Sequence, residues 1–141
     1  MASPLRAAIV LCLVASACSN PARRQAAALS DAIDRYRRAE NPGKAERAGA
    51  VVAVACTDAE VCATKQACMA AISSTVRALQ LKDEVTARLA DLESKRLAPD
   101  APDAVALPGK LDDAERLLKE GHDKMGDCEV ALTALRLHHA L

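Results

Sequence analysis

Six cysteines and three histidines are the residues in this 141-residue chain best equipped to do chemistry. Cys56, Cys62 and Cys68 follow one another with five residues between neighbours, and Cys128 stands alone far downstream. Paired thiolates that hold zinc usually have two to four residues between them, and no C-x-x-C occurs, so the spacing argues against a metal centre and against a dithiol redox motif. In an exported chain these four make an even set, most simply used as two disulfides.

Geometry ranks the three possible pairings. If a helix begins at Asp58, Cys62 and Cys68 point about 240° apart around it, too far for a bridge whose Cα atoms must lie within about 7 Å. Cys56, just ahead of that helix, can fold back onto its first turns and meet Cys62, which leaves Cys68 for Cys128.

The histidines offer less. His122 stands beside Asp123 and within reach in sequence of Glu115, but such neighbours point to different sides of a helix. His138 and His139 are expected to help cap the last carbonyls of a terminal helix. Asp112 and Asp113 suit the positive end of a helix dipole, and Asp83 and Glu84 among Lys82 and Arg88 read as a solvated face with local ion pairs. No phosphate-binding glycine loop, nucleophile elbow or H-E-x-x-H pattern occurs. The residues therefore predict no enzyme, no cofactor and no metal.

Composition says which elements must position these groups. Half the chain is hydrophobic, yet it has one aromatic residue, Tyr36, and no Phe or Trp. Alanine, leucine, arginine, lysine and glutamate favour helix, and the aromatic residues that fill sheets are missing. Nineteen basic side chains balance nineteen acidic ones. Such balance, without aromatic platforms, gives no case for nucleic acid.

Apolar residues at Ala26, Leu29, Ile33 and Tyr36 trace one helical face, continued after Asn41-Pro42-Gly43 by Ala48, Val51, Val52 and Ala55. Asn41 is the expected N-cap of that restart, with Pro42 at its first position. Thr57-Asp58-Ala59-Glu60 reads as a capping box opening a second helix, which carries Met69, Ile72, Val76, Leu79, Val85, Leu89 and Leu92. Ser73-Ser74-Thr75 is a candidate bend. The proline-rich segment from Leu97 to Gly109 reads as an exposed loop. Beyond it Leu111, Ala114, Leu118, Gly121, Met125, Cys128, Leu132 and Leu135 form a heptad-like seam, in which Gly121 and Gly126 mark a soft spot or a close backbone approach.

These patterns predict an all-α fold, an elongated antiparallel three-helix bundle stapled by disulfides. Antiparallel pairing centred on the proline loop sets Cys128 nearer Ala78 than Cys68. The favoured bridge therefore demands a slip of register or a bend.

The N-terminus carries an address. Residues 7–17 hold no charge and follow Arg6, an apolar run too short to span a bilayer, which needs about 20 residues. Ala15, Ser16 and Ala17, with Leu13 and Val14 behind them, lead into Cys18. This run resembles the lipobox of bacterial lipoproteins, although Ala15 stands where leucine is usual, and Ala15-Ser16-Ala17 also satisfies the A-x-A pattern of ordinary secretory cleavage.

The resemblance covers about the first 20 residues. It implies removal of residues 1–17 as a signal peptide, acylation of Cys18, a lipidated tether over 18–22 and a single helical domain over 23–141. Lipidation of Cys18 leaves the four downstream cysteines as an even set, whereas ordinary cleavage leaves five. By the family's sorting rule, Ser19 after the cysteine implies the outer membrane, facing the periplasm. Arg23 and Arg24 either touch lipid phosphates or solvate the start of a helix.

The expected function is a lipid-anchored envelope protein with a structural or adaptor role, its partners the membrane and an envelope protein. The alternative is a secreted helical domain that binds a small apolar ligand or metal between its helices.

Overall fold

The computed structural model describes residues 20–141. The signal-peptide reading and Cys18 lie outside the described residues. Helix α1 spans Pro21–Arg38, a 3₁₀ turn Asn41–Gly43, α2 Lys44–Ala53, α3 Ala59–Glu93, α4 the single turn Pro102–Val105, and α5 Leu107–His139. No strand occurs among the described residues.

The all-α reading is what forms, but not as three comparable helices. Two long ones, α3 of 35 residues and α5 of 33, run antiparallel against each other, and α1 and α2 cover one end of the pair. The first third of the chain is split because Pro42 has no N–H to bond the Arg38 carbonyl and its ring would clash there, so α1 ends at Arg38. Backbone at Ala39 turns extended, and Glu40, not Asn41, precedes the 3₁₀ turn as its cap.

Helix α1 starts at Pro21, inside the span read as tether. Asn20 Oδ1 accepts from the Ala22 amide at 3.0 Å, and Pro21 occupies a first-turn position where its missing N–H costs nothing. Its anticipated face, Ala26, Leu29, Ile33 and Tyr36, is fully buried. In α2 only Ala48 and Val51 turn inward; Val52 faces solvent, as does Ala55 just beyond the helix.

Asp58 is the N-cap of α3, accepting from the Glu60 and Val61 amides at 3.0 and 3.1 Å. The expected Thr57–Glu60 box does not form, because Thr57 is engaged by Gln25, which donates to its hydroxyl and accepts from its amide. Ser73, Ser74 and Thr75 each donate to the carbonyl four residues back, inside a continuous helix.

The long pair reverses earlier than the prolines suggest. Lys95 takes a left-handed conformation, φ 59°. Its amide donates to the Leu92 carbonyl, and the Arg96 amide to that of Asp91. These two bonds close α3 in a Schellman motif. Pro102 and Pro108 then sit in the first turns of α4 and α5, so most of the segment read as loop is helical. The reversal is centred near residue 98, and the register slips accordingly: Cys128 faces Cys68.

Leu107, Ala114, Gly121, Cys128 and Leu135 are buried at intervals of seven along α5, the repeat that lets two helices supercoil. Leu111, expected in this seam, is largely exposed. A Cβ on Gly121 would collide with the Thr75 hydroxyl and lie 3.1 Å from the Ala71 carbonyl oxygen, whereas Gly126 has open space around it. Gly121 is thus the close approach of α3 and α5.

Two regions result. The head comprises α1, α2 and the halves of α3 and α5 they cover, with a core of Leu29, Ile33, Tyr36, Val51, Val61, Ile72, Leu132 and Leu135. The arm, roughly residues 77–117, is the remaining helical hairpin, with Ala78, Leu81, Val85, Leu107 and Ala114 as its buried seam. Arg136 fastens α1 to α5 in the head, donating to Ser30 Oγ and Asp34 Oδ2, each at 2.7 Å.

Candidate functional site

The cysteines come together in two pairs at disulfide distance. Cys56 and Cys62 have Cα atoms 5.1 Å apart, Cys56 in the α2–α3 connection and Cys62 in the first turn of α3. Cys68 and Cys128 meet across the α3–α5 seam with Cα atoms 4.4 Å apart, in the buried core. The first pair ties the connection down, and Lys65 Nζ adds to this by donating to the Val52 and Val54 carbonyls at 2.6 Å. The second joins points 60 residues apart.

At the end of the head farthest from the arm, the start of α3 meets the finish of α5. There Glu60 Oε2 contacts His138 Nδ1 and lies 3.8 Å from His139 Nε2. The two imidazoles stack with centroids 4.8 Å apart. His138 is exposed, but the His139 side chain is only 8 % exposed, and its Nε2 is buried without a hydrogen-bond partner. The expectation that these histidines cap carbonyls is not what forms. Arg23 does the capping instead, Nε donating to the His139 carbonyl at 3.0 Å and the other guanidinium nitrogen to that of Ala140 at 3.2 Å. A cation at a helix C-terminus complements its dipole.

Glu60, His138 and His139 are the described residues that could together hold a metal ion. Sequence reasoning missed the cluster because its carboxylate comes from 78 residues upstream. The helix-end position of the histidines was the only signal. His122 lies elsewhere, on a shallow open groove of about 360 Å³ that Tyr36, Lys44, Thr75, Leu118 and Met125 also line. Asp123 pairs with Lys119 at 2.6 Å and not with His122.

Burial pushes the Tyr36 phenol above its ordinary range, the facing Thr75 hydroxyl pulling the other way. Lys44 Nζ lies 4.6 Å from the centre of the Tyr36 ring and donates to the Tyr36 carbonyl at 3.1 Å. Partial burial pushes this ammonium below its ordinary range. The groove is therefore rimmed by charge and open to water, unlike the enclosed apolar cavities that hold small hydrophobic ligands.

Among the described residues no helix is long and apolar enough to cross a membrane. Comparison with known proteins finds no matching family model, no matching curated protein and no matching solved structure.

Proposed function

We propose that the chain is a lipid-anchored protein of a bacterial envelope, acylated at Cys18 and held at the outer membrane facing the periplasm, with an adaptor role and no catalytic activity. The observation that carries this reading is the run from Leu13 to Cys18, whose small residues before a cysteine resemble a lipobox. The two cysteine pairs at disulfide distance support it, since such bridges persist in oxidising compartments.

An anchor of two or three acyl chains, at about 0.8 kcal/mol per buried methylene, holds a protein at a bilayer essentially permanently. Only Ser19 and Asn20 separate Cys18 from α1. On this reading the head lies against the membrane and the arm stands away from it. Leu89, Val105 and Leu111, exposed on the arm, suit contact with a protein partner.

The test is the intact, non-reduced mass of the protein from its native membrane fraction after alkylation of free thiols. A chain beginning at Cys18, carrying acyl groups and no alkylation, is the expected result. An unacylated chain would sink the anchor, and alkylated Cys56, Cys62, Cys68 or Cys128 would remove the support from the bridges.

A further inference from the structure

We propose that Glu60, His138 and His139 bind one divalent late transition-metal ion, zinc foremost, where α5 ends against the start of α3. Their donor atoms, one carboxylate oxygen and two imidazole nitrogens, all lie within 4.8 Å of one another. In tetrahedral zinc sites with bonds of about 2.0–2.1 Å, neighbouring donors stand roughly 3.3 Å apart. The 3.8 Å between Glu60 Oε2 and His139 Nε2 closes to that value with a small side-chain movement. Two imidazoles and a carboxylate are also the chemistry that borderline-soft cations such as zinc and copper(II) select, in preference to magnesium or calcium.

The second observation is the His139 ring itself. Its Nε2 is buried, lacks any hydrogen-bond partner and lies 3.8 Å from Glu60 Oε2. Buried polar atoms are almost always satisfied, and those that are not call for an explanation such as an ion. The Glu60–His138 contact gives each of those two a partner and leaves His139 without one. A cation shared by the three satisfies all of them.

The surroundings set the character of the site. Arg23 grips the His139 and Ala140 carbonyls, fixing the last turn of α5 without occupying a ring nitrogen. Its positive charge beside the cluster opposes a dication, so the affinity falls below that of closed four-ligand structural sites. Three protein donors leave a fourth position for water or an exogenous ligand. An occupied site would pin the end of α5 to α3.

The test is calorimetric titration of zinc chloride into the full chain, produced without an affinity tag and stripped of metal, beside Glu60→Gln, His138→Ala and His122→Ala. One ion per chain is expected, with affinity at least about tenfold weaker in the first two variants and unchanged in His122→Ala. Glu60→Gln keeps side-chain volume and His138 is exposed, so circular dichroism should show both still helical. As a second readout, zinc should shift the imidazole resonances of His139 in the unaltered chain. The proposal is overturned if the unaltered chain shows no saturable binding, if both variants bind like it, or if the His139 resonances do not move.

Discussion

The head and the arm are built from the same two helices, yet they are held by different means. In the head, α1 and α2 close over the α3–α5 seam, and Leu29, Ile33, Tyr36, Ile72 and Leu135 lose nearly all contact with water. In the arm the same helices have only each other. Ala78, Leu81 and Val85 face Leu107 and Ala114, and around this narrow seam lie Glu84 with Lys110, Asp91 with Arg96, and Arg88 within 4.0 Å of Asp103. A helical hairpin with one thin apolar seam buries little area per ordered residue. The contrast teaches that helix length and local stability are separate properties: α3 is one continuous helix whose two halves should open at different free energies.

Core truncation should divide the two regions most sharply. Leu135→Ala removes a fully buried side chain from the head and should cost about 2–5 kcal/mol of global stability. Leu81→Ala, in an arm that can collapse around the loss, should cost about 2 kcal/mol or less. Urea unfolding of both variants checks this, and equal losses would break the distinction.

The glycines of α5 sharpen the boundary between the regions. Gly121→Ala must push α3 and α5 apart at Thr75 and should destabilise by about 1–3 kcal/mol. Gly126→Ala meets open space and should stabilise by up to about 1 kcal/mol through helix propensity alone. A melting-temperature shift of the same sign for both would refute the close approach.

The smallest effect concerns pH. The Lys110 ammonium holds the Glu84 carboxyl below its ordinary range, and the Arg96 guanidinium does the same for Asp91. Because the folded values are depressed, the stability they lend is complete above the unfolded carboxylate range, about pH 4, and fades as pH falls through the folded values. Glu84 is exposed and Asp91 only partly covered, so the contribution is modest. Resonances of Leu81 and Val85 should therefore shift or broaden below about pH 4 before those of Leu132 and Leu135. Simultaneous loss would show that the arm has no separate acid sensitivity.

Much of the fold was legible because it is local. The buried face of α1 follows from spacing alone; the angle around one helix excludes a Cys62–Cys68 bridge, and the place of Cys56 just ahead of that helix favours its pairing with Cys62. The point of reversal was hidden because its left-handed residue is Lys95, where glycine is the usual signal, while the prolines that look like a loop sit in first turns of helices. Thr57 has the right spacing for a capping box, but the competing partner, Gln25, comes from α1. The Glu60–His138–His139 cluster needed the slipped register before its members could be seen as neighbours. Pattern reports what a helix does with its own residues and is silent on partners supplied from far along the chain.

The grip of Arg23 on the last turn of α5 also gives the molecule a direction. Asn20 and Ala140, the two ends of the described helices, share one pole, while the turn at Lys95 forms the other. At about 1.5 Å per residue, α3 alone separates those poles by roughly 50 Å. Anything fixed to the chain ahead of Asn20 therefore holds the molecule by its base, and a force or a neighbour met at the tip acts through a lever.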